Sequence, residues 1–191
     1  RVINYKEISD QAQLQIEKKR VRTLLVDRKL AQFDSMESDI VIERNTVPED
    51  LDANAIACVE MKSTESSYIL YTSGTTGSPK GIQRDTGGYA VALAASMRLI
   101  YGCRPGEVFF CASDIGWVVG HSYLVYGPLI NGCTTVLYEG LPTKPHSNIW
   151  WDIVEKYSVS VMFTSPTAIR ILKKEKSHSE KQIKTESLRS L

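Results

Sequence analysis

The chain has 191 residues, 42% of them apolar and 24% charged, with a formal net charge of +1. Nothing in that balance points to nucleic acid or an anionic membrane surface as a bulk partner. No apolar run approaches the roughly 20 residues of a membrane span. The length suits one domain or one large piece of a domain, with a real core burying about 70% of the unfolded surface. Four cysteines, Cys58, Cys103, Cys111 and Cys133, lie far apart without CxxC spacing. They read as reduced thiols of an intracellular protein rather than a metal or disulfide framework.

In chain order, Ile8, Ala12 and Ile16 fall at helical spacing, which predicts a surface helix from about Ser9 as N-cap. The run Val21 to Val26 predicts a buried strand, and the acidic stretch from Asp27 to Lys62 reads as a weakly patterned surface excursion. From Ser67 the text changes. Tyr68 to Tyr71 is a predicted strand, Ile82 to Arg84 a second short one, and AVALAASMRLIY a helix closed by Gly102. Val108 to Ala112 is a fully apolar strand, Trp117 to Leu129 a helix, and Thr134 to Tyr138 a strand. Ser147 is expected to cap a helix from Asn148 to Tyr157, Val159 to Thr164 forms a strand, and Ser165-Pro166 opens a helix to Lys174. Asp114 reads as an N-cap rather than a catalytic acid. Strands that are apolar on both faces, alternating with helices, predict an α/β fold with a mostly parallel sheet covered by helices. The chain starts at Arg1, and Ser187 to Leu191 reads as a strand beginning, which gives the expectation of a fragment.

Between the first two strands of this part lies YTSGTTGSPKG, residues 71–81. Gly74, Gly77 and Gly81 allow positive φ and close approach to the main chain. Thr72, Ser73, Thr75, Thr76 and Ser78 add hydroxyls, and Lys80 adds one positive charge. Amides, hydroxyls and an ammonium together suit a polyanion such as a phosphate chain. The plain alternative is a tight strand-to-strand turn. The Walker pattern does not fit, because Pro79 precedes Lys80 and Gly81 follows it.

This stretch resembles the phosphate-binding signature of the adenylate-forming superfamily, which includes acyl-CoA synthetases, luciferases and peptide-synthetase adenylation domains. Asp85-Thr86-Gly87-Gly88-Tyr89, the segment ASDIGWVVGHSYLVYGPLINGCTTVLYEG at 112–140 and FTSPTAIR at 163–170 resemble its short-chain branch, with 82–140 most similar to propionyl-CoA synthetases. The resemblance is close over residues 66–191 and loose over 1–65. It implies an incomplete N-terminal AMP-binding domain, with 1–65 as a variable part, 66–191 as the core and the C-terminal lid domain absent. The implied reaction is ATP-dependent activation of propionate or acetate through an acyl-adenylate to the coenzyme A thioester, with ATP, Mg2+ and coenzyme A required.

Residue by residue, the resemblance implies that Thr72, Ser73, Gly74, Thr75, Thr76, Gly77 and Lys80 hold ATP phosphates. Trp117, Val118 and Val119 would line a small acyl pocket. His121 would sit near the reacting carboxylate or α-phosphate as the catalytic candidate, with a hydrogen-bonded helix histidine as the alternative. Val119 stands where acetyl enzymes carry threonine, which puts a hydroxyl contact to coenzyme A in doubt and fits a more apolar pocket. Arg1 would end a coenzyme A phosphate patch, and Ser165 replaces the usual alanine. The family's adenine, ribose and magnesium motifs and its catalytic lysine would lie beyond Leu191, so the 191 residues alone are expected to be inactive. Two rival readings stand: a truncated nucleotide-binding remnant, and an adenylation domain that loads a carrier protein. The expected partners are small molecules, and the expected compartment is the mitochondrial matrix rather than the cytosol.

Overall fold

A computed structural model describes residues 4–16, 21–43, 57–75, 77–175 and 184–191. The chain divides into two compact units, Arg1–Val59 and Glu60–Leu191. In the first, helix α1 (Tyr5–Leu14) starts four residues before the expected Ser9, because Asn4 caps it. The Asn4 side chain accepts from the Lys6 amide at 3.1 Å, capping the helix, and its Nδ2 donates to the Glu7 carboxylate at 3.1 Å. Strand β1 (Thr23–Asp27) overlaps the expected run but is not buried: its side chains alternate between half-buried and exposed, with Leu24 67% and Val26 55% exposed. The excursion after it, expected to be a weakly patterned surface stretch, contains strand β2 (Asp39–Glu43), which pairs parallel with β1 from Thr23↔Asp39 to Asp27↔Glu43. The acidic residues at its ends mask the Ile-Val-Ile centre. Asp39 accepts ion pairs and amide bonds rather than facing water: Lys6 Nζ lies 2.9 Å away and the Met36 amide donates at 2.8 Å.

The second unit begins with an antiparallel hairpin, β3 (Ser66–Thr72) and β4 (Lys80–Asp85). Helix α2 (Thr86–Leu99) follows at once, with Asp85 as its N-cap accepting from the Gly88 amide at 3.1 Å. It stops at Ile100, two residues before Gly102, whose φ of +61° turns the chain away. A three-stranded parallel sheet comes next, in the order β6 (Thr134–Val136), β5 (Val108–Cys111), β7 (Val161–Phe163). Side chains along a strand alternate between faces. Phe109 and Cys111 of β5, with Val161 of β7, therefore join Met97, Leu124, Cys103 and Cys133 in one apolar cluster. Phe110 and Met162 point the other way, onto Trp150, Ile153 and Val154. Both faces are covered, which is why β5 is apolar throughout.

The opposite face is covered by α5 (Ile149–Tyr157) and α6 (Pro166–Lys174). Ser165 caps α6 as expected, accepting from the Ala168 amide at 3.2 Å. The expected Ser147 cap does not form; Asn148 holds the N-cap position, and its side chain does not cap the helix. The helix expected from Trp117 to Leu129 is three joined pieces: α3 (Val118–Gly120), a π-helical turn π1 (His121–Tyr126) and α4 (Gly127–Ile130). The last residues add a parallel bridge from Ser190 to Val161 beside β7. Among the described residues, no helix is long and apolar enough to cross a membrane.

Candidate phosphate loop and histidine site

The glycine-rich segment closes the β3–β4 hairpin, where Thr72 is paired with Lys80. Gly74 has φ +59°, and a Cβ there would lie 2.6 Å from the Ser78 carbonyl, so only glycine fits. Lys80 packs its stem against this glycine, with Cγ 3.3 Å from that same Cβ position. Gly77 also has positive φ, +81°, in open space. Thr72, Ser73, Thr75, Gly77, Ser78 and Lys80 are all exposed. The loop is thus an open rim of main chain and hydroxyls, with one cation beside it and no acid within it. Thr76 and Arg1 lie outside the described residues.

Four residues earlier on the same strand, about 13 Å back along it, Tyr68 meets His121. Their ring centroids are 5.5 Å apart at 85°. Tyr68 also packs edge-on with Tyr89 of α2 at 5.6 Å and stacks with Tyr126 at 6.5 Å. Tyr89 and Ser122 share a 2.7 Å hydroxyl hydrogen bond, and the Arg84 guanidinium lies 5.6 Å over the Tyr89 ring. Burial pushes the Tyr68 phenol up to about 12, so it stays a neutral donor throughout the working range. Its hydroxyl is buried beside that of Tyr89.

The remaining candidates spread along the turn before π1. Trp117 is 69% exposed. Val118 is half-buried, and Val119 packs against the cluster of Met97, Phe109 and Leu124. Asp114 caps no helix; its Oδ1 accepts from the Gly116 amide at 2.7 Å and closes a tight turn instead. That turn leaves the helix to begin at Trp117, which acts as N-cap without a side-chain bond. Two open cavities, about 850 and 570 Å3, are lined by residues from Asp27 to Val41 and from Arg98 to Asn131, and include none of the candidate residues. Among the described residues, no group of histidine, cysteine and acidic side chains is placed to hold a metal ion.

The structure therefore gathers the described phosphate-loop candidates on one hairpin and His121 against its strand. The ring box of Tyr68, Tyr89 and Tyr126 was not read from the sequence. The tyrosines flanking the glycine loop and the histidine were its visible trace, but the spacing of His121 and Tyr126 does not place them together on an α-helix.

A family model described as AMP-binding enzyme matches residues 2–191. Propionate–CoA ligase of Escherichia coli is 54% identical over 174 residues, which are 91% of this chain and 28% of that protein. Acetyl-coenzyme A synthetase of Pyrobaculum aerophilum is 54% identical over 111 residues, 58% of this chain and 17% of its own length. Acyl-CoA synthetase short-chain family member 3, mitochondrial, of Bos taurus is 56% identical over 119 residues, 62% of this chain and 17% of its own length. The chain spans less than a third of the length of these curated relatives.

Proposed function

The chain belongs to the AMP-binding enzyme family, and from that premise we propose that it supplies the phosphate-holding and acyl-facing part of a short-chain carboxylate–CoA ligase. A carboxylate oxygen attacks the α-phosphate of ATP, pyrophosphate leaves, and the acyl-adenylate forms. Coenzyme A thiolate then attacks the acyl carbon and AMP leaves. Mg2+ arrives with ATP as part of the substrate. Relatives named for propionate and acetate support a small acid, and the relatives named mitochondrial support that compartment.

One observation carries this reading. A rim of exposed Ser73, Thr75 and Gly77 and half-buried Gly74, with Lys80 against it, follows the strand whose Tyr68 touches His121. Such a rim suits the β- and γ-phosphates by aimed amides and one ammonium, and catalysis in this chemistry is mainly positioning and charge neutralisation. His121 then faces the reacting carboxylate or α-phosphate. An apolar wall of Trp117, Val118 and Val119 would suit a two- or three-carbon acid, between which one methylene is worth roughly 1–3 kcal/mol.

The test is propionate-dependent ATP–pyrophosphate exchange by the complete protein that carries these residues. Lys80→Ala is expected to lower kcat/KM for ATP by about tenfold to a hundredfold, as for loss of one charge-assisted hydrogen bond, with the propionate KM little changed. Exchange that is absent in the unaltered protein, or unaffected by Lys80→Ala, refutes the reading. The 191 residues alone are expected to show no exchange.

A further inference from the structure

Tyr68 is the hub of a four-ring box. It touches Tyr126 at 6.5 Å and 19°, Tyr89 at 5.6 Å and 70°, and His121 at 5.5 Å and 85°. All three separations lie in the range where aromatic pairs attract. Two of these rings, His121 and Tyr126, come from one helical turn and stand five residues apart. On an α-helix, at 3.6 residues per turn, they would diverge by about 140°, too far to meet one ring. The chain instead makes a π turn over His121–Tyr126, and the Gly127 amide reaches back five residues to the Ser122 carbonyl. Wider turns of this kind gather residues spaced by five and recur at functional sites.

We propose that Tyr68 is a positioning residue for His121, and that the π turn is the device that brings His121 and Tyr126 onto it together. This rests on the reading of His121 as a group facing the reacting carboxylate or α-phosphate. The glycine loop starts four residues after Tyr68 on the same strand, so this one strand fixes both the phosphate rim and the imidazole. The box is anchored on its other sides. Tyr89 is held by its hydroxyl bond to Ser122 at 2.7 Å, and Arg84 from β4 lies over its ring. The contact of Tyr68 with His121 is made by the rings, edge to face at 5.5 Å, so the aromatic ring is the working part.

The experiment is a double-mutant cycle in the complete protein, read as kcat and as KM for ATP in propionate-dependent exchange. Tyr68→Leu is expected to lower kcat by about tenfold to a hundredfold, the cost of a misplaced reacting group, with KM for ATP unchanged. In the His121→Ala background the same change is expected to cost less than about twofold, because residues that act as one unit are non-additive. Tyr68→Phe, which keeps the ring, is expected to rescue kcat to within about threefold. Equal losses from Tyr68→Leu in both backgrounds overturn the positioning role and leave His121 in place. A His121→Ala variant with full activity overturns the role of His121, and this proposal with it. If Tyr68→Leu does not fold, Tyr126→Ala at the half-exposed side of the box takes its place. It is expected to show a smaller kcat loss that also vanishes without His121, and additive losses refute the proposal.

Discussion

Single residues in this chain owe their chemistry to where the fold puts them. Cys58 is exposed, whereas Cys103, Cys111 and Cys133 are buried. Burial pushes the Cys103 and Cys111 thiols up to about 12, with the neighbouring Cys133 adding to the effect at Cys103. The thiolate is the reactive form, so these buried groups are inert. In native buffer a chromogenic disulfide reagent should titrate one thiol quickly, at Cys58, and all four after denaturation; rapid reaction of two or more native thiols contradicts the packing. At the opposite extreme stands Lys80, exposed beside the glycine loop, and its proposed role could be read from sequence because the loop's glycines, hydroxyls and cation are local. The role proposed for Tyr68 could not, because a tyrosine in an apolar strand looks like any core aromatic until its neighbours are known.

Whole elements show where local spacing misleads. The segment from Trp117 to Leu129 has the composition of an ordinary helix, and it is helical. What sequence does not show is the π turn in its middle. Gly127 is packed so closely that a Cβ would lie 2.7 Å from the Ser122 carbonyl and 3.3 Å from Met97 Cγ and Sδ. Gly127→Ala is therefore expected to cost about 1–3 kcal/mol, the usual cost of overpacking, read as a lower urea midpoint. A change within about 0.5 kcal/mol, the range of an unconstrained surface substitution, rules out this packing. The same lesson holds in reverse at β2. Its centre is Ile-Val-Ile, but the acids around it suppressed the pattern, and only pairing with β1 made it a strand.

On the scale of the whole second unit, the sheet is completed and tied by residues distant in sequence. Ser190 bridges to Val161, the Met162 amide donates to the Ser190 carbonyl at 3.0 Å, and the Arg189 amide donates to the Ser160 carbonyl at 3.0 Å. The Arg189 guanidinium gives Nε to Glu107 at 3.1 Å, and Nη2 to Glu107 at 2.6 Å and to the Gly102 carbonyl at 2.7 Å. The hydrogen bonds from Arg189 hold the Glu107 carboxyl below its ordinary value of 4.5. A carboxyl whose folded pKa is depressed stabilises the fold fully above its unfolded pKa and loses that contribution as pH falls through the folded value. Arg189→Gln should therefore lower the urea midpoint at neutral pH, and the gap to the parent should narrow below about pH 4. A gap that stays constant across this range shows that Glu107 carries no such linkage.

The sequence alone determined the class of fold, the order of its core strands and helices, and the glycine loop, because each depends on periodicity or on residues adjacent in the chain. Ser165 as a helix cap belongs to the same group. The tertiary structure decided the parallel β1–β2 pair, the π turn and the ring box that joins Tyr68 to His121. Those features depend on contacts between segments tens of residues apart, and on whether a turn widens to fit a neighbour. No local pattern encodes such choices; packing density and hydrogen-bond satisfaction select them after the elements meet.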